Sequence, residues 1–179
     1  MPAHEERGPV LLGIAREAIS ELRPAYDWRE EWLRDRAATF VTLRLAGELR
    51  GCIGSVDAHR ALGDDVAHNA HAAAYRDTRF PPLPPHERDL LQVEVSVLSP
   101  RVRVEAASEA EALGVLRPGV DGVYLEYQEF HATFLPQVWA NLPEPLDFLC
   151  ELRRKARLAP RFWHPDLKLS RYTDRKSVV

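Results

Sequence analysis

Several components that would point to particular classes of protein are scarce or missing in this chain of 179 residues. It has 2 cysteines, Cys52 and Cys150, too few for the disulfide framework of a small secreted protein, so we expect two free thiols. No apolar run approaches the roughly 18 residues that a membrane-spanning helix needs, and no membrane partner is expected. Residues 1–8 carry Glu5 and Glu6 and lack the apolar stretch of a secretory signal, which favours a cytoplasmic protein.

An excess of positive charge is also missing. Lys and Arg number 24 against 27 Asp and Glu, which gives a net charge of −3 at pH 7. Proteins that hold nucleic acid through its phosphates usually carry a basic excess, so we expect no nucleic-acid partner. Hydrophobic residues make up 45% of the chain and charged residues 28%, which is typical of a globular domain and excludes a disordered tail or a fibre.

The chain lacks the short motifs that identify several large enzyme classes. There is no Walker loop, no glycine-rich dinucleotide fingerprint and no serine–histidine–aspartate order. His68 and His71 are spaced to share one face of a helix, but no further ligand is specified nearby, and we interpret the pair as a solvated helix face. We therefore predict no metal site, name no cofactor and leave the reaction class open.

What is present is a succession of strand-like and helical patterns. Strand patterns occupy residues 39–45, 48–56, 92–98, 102–105, 121–127, 130–135 and 167–172, and helical patterns occupy residues 11–22, 60–76, 107–113 and 146–158. The segment 77–85 holds four prolines and is predicted to be an ordered loop or hinge. Because the strands come mainly as hairpins with helices between them, we predict an α+β fold with mainly antiparallel sheets.

The most unusual stretch is Leu49-Arg-Gly-Cys-Ile-Gly-Ser55, because two glycines weaken a strand unless another backbone or a ligand approaches closely. Strand alternation predicts that Arg50, Cys52 and Gly54 share one face. A cation near a thiol favours the thiolate, so the pattern indicates a reactive or ligand-binding patch. The alternative is that Cys52 is a small buried hydrophobe and Arg50 a surface residue.

Four further positions are weaker candidates, and each has a plainer interpretation. Glu94 and Ser96 lie opposite three valines on one strand, and either line a ligand site or face solvent. Phe80 is either a rigid anchor at a binding site or a core residue. His131 either supplies a base to Cys52 or points to water.

The residues Leu49–Gly54 match the signature hexapeptide of the AMMECR domain family, and the chain is identified as resembling that family. Other blocks similar to the family's, in the same order, are Asp77–Leu83, Val93–Leu98, Asp121-Gly122, Leu135–Val138 and Trp163–Tyr172. The resemblance covers about residues 8–175, nearly the whole chain.

The resemblance implies two unequal lobes, each with an antiparallel sheet, and a cleft between them toward which the signature side chains point. The larger lobe would hold both termini and the smaller would be inserted mid-chain. In many prokaryotes the family's genes lie beside, or are fused to, those of a Memo-like protein and a radical SAM enzyme, which are therefore the implied partners. This chain has no Cys-x3-Cys-x2-Cys motif, so it is not itself the radical enzyme.

Two functions follow from these observations, and whether the protein is an enzyme stays open. In the first, a site centred on Arg50 and Cys52 binds a substrate or partner and uses the thiol chemically. The candidate contacts around that pair are Gly51, Gly54, Ser55, Phe80, Glu94 and His131. In the second, the protein is a non-catalytic module or scaffold that binds a protein or peptide, and Cys52 is structural.

Overall fold

A computed structural model describes residues 4–20 and 28–178 of the chain. It has mixed helices and antiparallel sheets, which confirms the predicted α+β class. The chain divides into two compact units, the first comprising Met1–Leu98 with Arg175–Val179 and the second Ser99–Asp174. Each unit has its own sheet and its own hydrophobic core.

The first unit is built on a five-stranded sheet. Its elements are α1 (His4–Ser20), β1 (Arg36–Leu45), β2 (Glu48–Gly54), β3 (Arg60–Ala61), α2 (Leu62–Tyr75), β4 (Leu91–Leu98) and β9 (Asp174–Val178), with short 3-10 helices at Glu31–Leu33 and Pro85–Leu90. The strand order is β2-β1-β4-β9, and β3 pairs with the start of β1. The fully buried Val41, Leu43, Val93 and Val95 lie in one core with residues of α1 and α2.

Two local features fix the geometry of the β1–β2 hairpin. Ala46 and Gly47 both have positive φ angles, 51° and 86°, as a two-residue turn of the type that matches strand twist requires. On β2, Gly51 lies against α2, and a Cβ atom at Gly51 would overlap the carbonyl oxygen of Ala73. The alanines of α2 and the missing side chain of Gly51 together let helix and strand approach closely.

The second unit is built on a four-stranded sheet. Its elements are β5 (Val102–Arg103), α3 (Glu109–Val115), β6 (Gly122–Tyr127), β7 (Phe130–Phe134), α4 (Pro145–Lys155) and β8 (Lys168–Tyr172), with a 3-10 helix at Pro136–Ala140. The strand order is β5-β8-β6-β7. In its core Trp139 stacks on Phe148 with ring centroids 3.7 Å apart. Burial raises the pKa of Tyr172 to about 12, although its hydroxyl lies 2.6 Å from the Thr133 hydroxyl.

Most predicted elements are confirmed to within a few residues, and two predictions need correction or completion. Strand β9 was not predicted, because its charged sequence from Asp174 to Val178 has no apolar alternation. Cys150, which the helical pattern predicts to lie in the core, is only half-buried, while the prediction that both cysteines are free is confirmed. The predicted C-terminal end of the first helix, residues 21 and 22, lies outside the described residues.

No helix in the described part of the chain combines the length and the apolar character needed to cross a membrane.

Replacing Gly51 with Ala should destabilise the protein, because the new methyl group would overlap a backbone oxygen that moves only with α2. Overpacking of this kind typically costs about 1–3 kcal/mol. The matched control is Gly13→Ala in α1, where nothing lies within 4 Å of the new methyl group. Gly13→Ala should be neutral or stabilise by up to about 1 kcal/mol, because glycine is a poor helix former. Urea unfolding compares the two, and equal stabilities would contradict the packing described.

Candidate functional site

Strand β2 lies at one edge of the five-stranded sheet, and its pairing with β1 is irregular at one residue. Thr42 lies opposite Cys52 and Leu43 opposite Gly51, but Arg44 lies opposite Leu49. Arg50 is therefore an extra residue, a β-bulge, and a bulge redirects the local side chains. The bulge interrupts the alternation at Arg50, so strict alternation no longer places Arg50 and Cys52 on the same face.

The guanidinium of Arg50 is bound by the segment that follows α2. Its Nε donates to Oε2 of Glu87 at 2.8 Å, and its Nη1 donates to the carbonyl of Pro81 at 3.0 Å. The Arg50 side chain is 11% exposed, so this pair is largely shielded from water. Arg50 thus holds the proline-rich segment against the edge strand, and its charge is already matched by a carboxylate.

The backbone of Cys52 is held on the outer side of β2 by another ion pair. Oδ2 of Asp77 accepts a hydrogen bond from the Cys52 N–H at 2.9 Å, and Nη2 of Arg79 donates to the Cys52 carbonyl at 3.1 Å. Asp77 and Arg79 also bind each other through two hydrogen bonds of 2.7 and 2.9 Å. We call this pair the edge clamp, because it satisfies the two backbone groups that a neighbouring strand would otherwise pair.

The edge clamp is electrostatically strong. The hydrogen bond from Arg79 lowers the pKa of Asp77 to about 2, helped by the N–H groups of Cys52 and Arg79 and opposed by burial. The pKa of Arg79 is raised, first by its hydrogen bond to Asp77 and also by the charges of Asp77 and Cys52. Arg79, whose side chain is 55% exposed, is therefore a cation bound to the backbone of Cys52.

The sulfur of Cys52 lies on the face of the sheet opposite α1 and α2. Thr42, its cross-strand neighbour, donates a hydrogen bond from Oγ1 to Sγ at 3.3 Å. Thr42 also lies opposite Glu94 on β4, so Cys52, Thr42 and Glu94 form a row across three strands. The next row along this face is Gly54, Phe40 and Ser96. The sheet therefore brings together four of the residues that the sequence singled out separately.

Glu94 and Ser96 are 8% and 5% exposed, which removes the alternative that they face solvent. Glu94 accepts a hydrogen bond from Nε of Arg44 at 2.8 Å and lies 3.4 Å from the ammonium of Lys176 on β9. The row that begins with the Cys52 thiol therefore ends in a charged cluster.

The space beside the two signature glycines is occupied by the protein itself. The position of a Cβ atom on Gly51 is taken by the Ala73 carbonyl, and that on Gly54 by the ring of Phe40. Both glycines are thus required for packing, and their contact with a ligand stays a prediction. Ser55 donates to Oδ1 of Asp65 at 2.9 Å.

Asp65, which is fully buried, is the centre of a polar network at the start of α2. Besides Ser55, its carboxylate accepts hydrogen bonds from Thr39, Asn69 and Arg60 at 2.8–3.0 Å. A buried carboxylate with this many donors is well satisfied, and the network ties Ser55 to the fold.

Phe80 and His131 are the two remaining candidate residues, and they belong to different units of the chain. Phe80 is half-buried, and the guanidinium of Arg79 lies 5.5 Å from its ring centroid, which places Phe80 next to the edge clamp. His131 lies on β7 of the second unit, is exposed, and has Nδ1 3.3 Å from the Glu129 carbonyl. The roles of both stay predictions.

Sequence reasoning missed the residues that hold Cys52. Thr42 lies in a strand of ordinary composition, and nothing local marks it as a partner of the sulfur. Asp77 and Arg79 are opposite charges two residues apart before a rigid proline segment, a usable signal that points to no particular target. In the described part of the chain no three His, Cys, Asp or Glu side chains are grouped so as to hold a metal ion.

Removing the charge of Asp77 should weaken the fold in a pH-dependent way. The lowered pKa of Asp77, about 2 against 3.8 unperturbed, stabilises the folded state by about 2 kcal/mol above pH 4. This stability is lost as the pH falls from about 4 through 2, with about half of it left at pH 3. Asp77→Asn should therefore be less stable than the unsubstituted protein at pH 6, and the difference should narrow by pH 3. Urea unfolding at several pH values measures it, and a difference independent of pH would contradict the ion pair.

The model of the family described as AMMECR1 matches residues 12–177. A protein of Methanothermobacter thermautotrophicus is 39% identical over 181 residues, covering 96% of this chain and 93% of its own length. Protein TK0174 of Thermococcus kodakarensis is 36% identical over 185 residues, covering 94% of this chain and 88% of its own.

A solved structure with a similar fold supports the same family assignment. The crystal structure of the uncharacterised protein PH0010 from Pyrococcus horikoshii superposes with a TM-score of 0.87 and 32% sequence identity. The superposition covers 96% of this chain and 90% of that one. The resemblance seen in the signature hexapeptide is thus confirmed over nearly the whole length, and the chain belongs to the AMMECR1 family.

Proposed function

We propose that Cys52 is the centre of a thiol site on the sheet of the first unit, where it binds and reacts with a substrate or partner. The observation that carries the proposal is the fixed position of this residue. The edge clamp holds both backbone polar groups of Cys52, and Thr42 donates to its sulfur. The residue is half-buried and is not sealed in the core.

The reactivity of a cysteine depends on whether its sulfur carries a negative charge. A thiol attacks only as the thiolate, and a hydroxyl donor together with a nearby cation favours the negative sulfur. Thr42 supplies the donor and Arg79 the positive charge. The thiol proton passes to solvent, and an electron pair of the sulfur then forms a bond to an electrophilic carbon of the substrate while a leaving group departs from that carbon with the electron pair of the broken bond.

The two arginines next to Cys52 have different roles. Arg79, next to the Cys52 backbone and half-exposed, takes the part that the sequence pattern had suggested for Arg50. Arg50 acts as a positioning residue, because its bonds to Glu87 and Pro81 hold the segment after α2 beside the edge strand. The partners we propose are a Memo-like protein and a radical SAM protein, on the strength of the family resemblance alone.

A second candidate function has an observation of its own. Arg50 and Arg79 are both paired with carboxylates, and the spaces beside Gly51 and Gly54 are filled. A signature whose charges are paired and whose glycines are packed against other groups can serve to build a rigid edge strand. In that case the protein is a binding module for a protein or peptide, and Cys52 is a packing residue.

Alkylation by iodoacetamide at pH 7 distinguishes the two functions, with Cys150 as an internal reference because both thiols are half-buried. The thiolate is the attacking form of a cysteine, so a reactive Cys52 should be alkylated at least about tenfold faster than Cys150. Thr42→Val should slow the reaction at Cys52 and leave Cys150 unchanged, because it removes the donor and keeps the shape of the side chain. Thr42→Ser, the matched control, keeps the hydroxyl and should keep the rate.

Mass spectrometry of the two cysteine-containing peptides gives both rates in one sample. If Cys52 reacts no faster than Cys150, or if Thr42→Val leaves its rate unchanged, the thiol site is wrong and the binding module is the better account.

A further inference from the structure

The second unit contains an open pocket of about 380 Å³, and none of its lining residues belongs to the signature hexapeptide. It lies between the turn of the β6–β7 hairpin and the C-terminal end of α4. The lining residues are Glu129, Phe130, His131, Lys155, Ala156 and Arg157. A volume of this size is within the range of small-molecule sites, and three of the six side chains are basic.

Arg157 has a backbone conformation that is unusual for an arginine. The N–H of Arg157 bonds to the carbonyl of Arg154, and the N–H of Leu158 to that of Arg153, each at 2.9 Å. These two bonds are typical of a helix C-terminus at which the residue after the cap adopts a left-handed backbone conformation. Arg157 is that residue, and its φ angle is 65°. Glycine usually occupies this position because it adopts a left-handed conformation without steric strain. An arginine here is a strained choice.

Stabilisation of the helix end does not account for this arginine. Cations near the last turn interact favourably with the negative end of a helix. The last turn of α4 already carries Arg153, Arg154 and Lys155. A further cation on the strained residue beyond the cap adds little to the helix, whereas it does add a guanidinium to the wall of the pocket.

We infer that this pocket binds the phosphate or carboxylate group of a small molecule. Arg157 offers a planar set of donors suited to either anion. Lys155 adds its positive charge while its ammonium bonds to the Thr133 carbonyl at 2.9 Å.

The other walls restrict the ligand. Phe130 offers an apolar surface to the body of the molecule, and the carboxylate of Glu129 favours a hydroxyl or ammonium on it over a second anion. The inference does not depend on the Cys52 site, and either can fail without the other.

Amide NMR spectra of the ¹⁵N-labelled protein test the inference, with phenyl phosphate and benzoate as the anions and phenol as the uncharged probe. At constant ionic strength, at least one anion should give saturable shifts confined to residues near 129–131 and 155–157, and phenol should not. The anion that gives the tighter binding tells phosphate from carboxylate.

Arg157→Gly separates binding from folding. Loss of a charged donor should weaken the anion about tenfold, while the variant remains as stable as the unsubstituted protein or becomes more stable, because glycine relieves the strain. Arg154→Gln is the matched control, because Arg154 is exposed, pairs with Glu151 and does not line the pocket. It should keep the affinity within about twofold.

The inference is overturned if neither anion gives saturable shifts up to about 20 mM, a range that covers weak millimolar binding. It is also overturned if phenol binds equally well, since the anionic group is then not what is recognised. Equal losses of affinity in Arg154→Gln and Arg157→Gly would likewise overturn it, since the attraction is then non-specific.

Discussion

The ion pair between Asp77 and Arg79 is the interaction on which the candidate site depends. An edge strand presents unpaired N–H and C=O groups, and a site built there needs them satisfied without a further strand. The edge clamp does this for Cys52 with one acceptor and one donor that also bind each other. Because the two charges neutralise each other, the clamp fixes the strand without leaving an isolated charge at a nearly buried carboxylate.

Three of the six positions of the signature hexapeptide have a structural explanation. Gly51 lets β2 approach α2, Gly54 makes room for Phe40, and Arg50 binds the segment after α2 from a bulge. Cys52 is the exception, because packing alone does not require a thiol whose sulfur accepts a hydrogen bond from Thr42 on the polar row of the sheet. The other signature residues position Cys52, and we therefore assign the chemistry to Cys52.

Periodicity predicted the elements well and the site only in part. The alternation Val93–Val97 and the spacing of Leu62, Val66 and Ala70 gave a strand and a helix that the structure confirms, since burial of one face is a local pattern. The bulge at Arg50 is a property of pairing with β1, and no pattern within β2 encodes it.

The contacts of Cys52 join residues far apart in the chain. The Asp77 bond spans 25 positions and depends on where the segment after α2 lies, whereas the Thr42 bond spans 10 and depends on the register of the β1–β2 hairpin. Family resemblance could mark these segments, but only the fold shows which atoms meet.

Hydrogen exchange at the Cys52 amide tests the central claim most directly. This N–H points away from β1, so without the edge clamp it would exchange nearly as fast as an unstructured amide. With the clamp in place it should exchange at least about a thousandfold more slowly, as amides in stable strands do. An exchange rate within about tenfold of the unprotected value would show that Asp77 does not hold the strand.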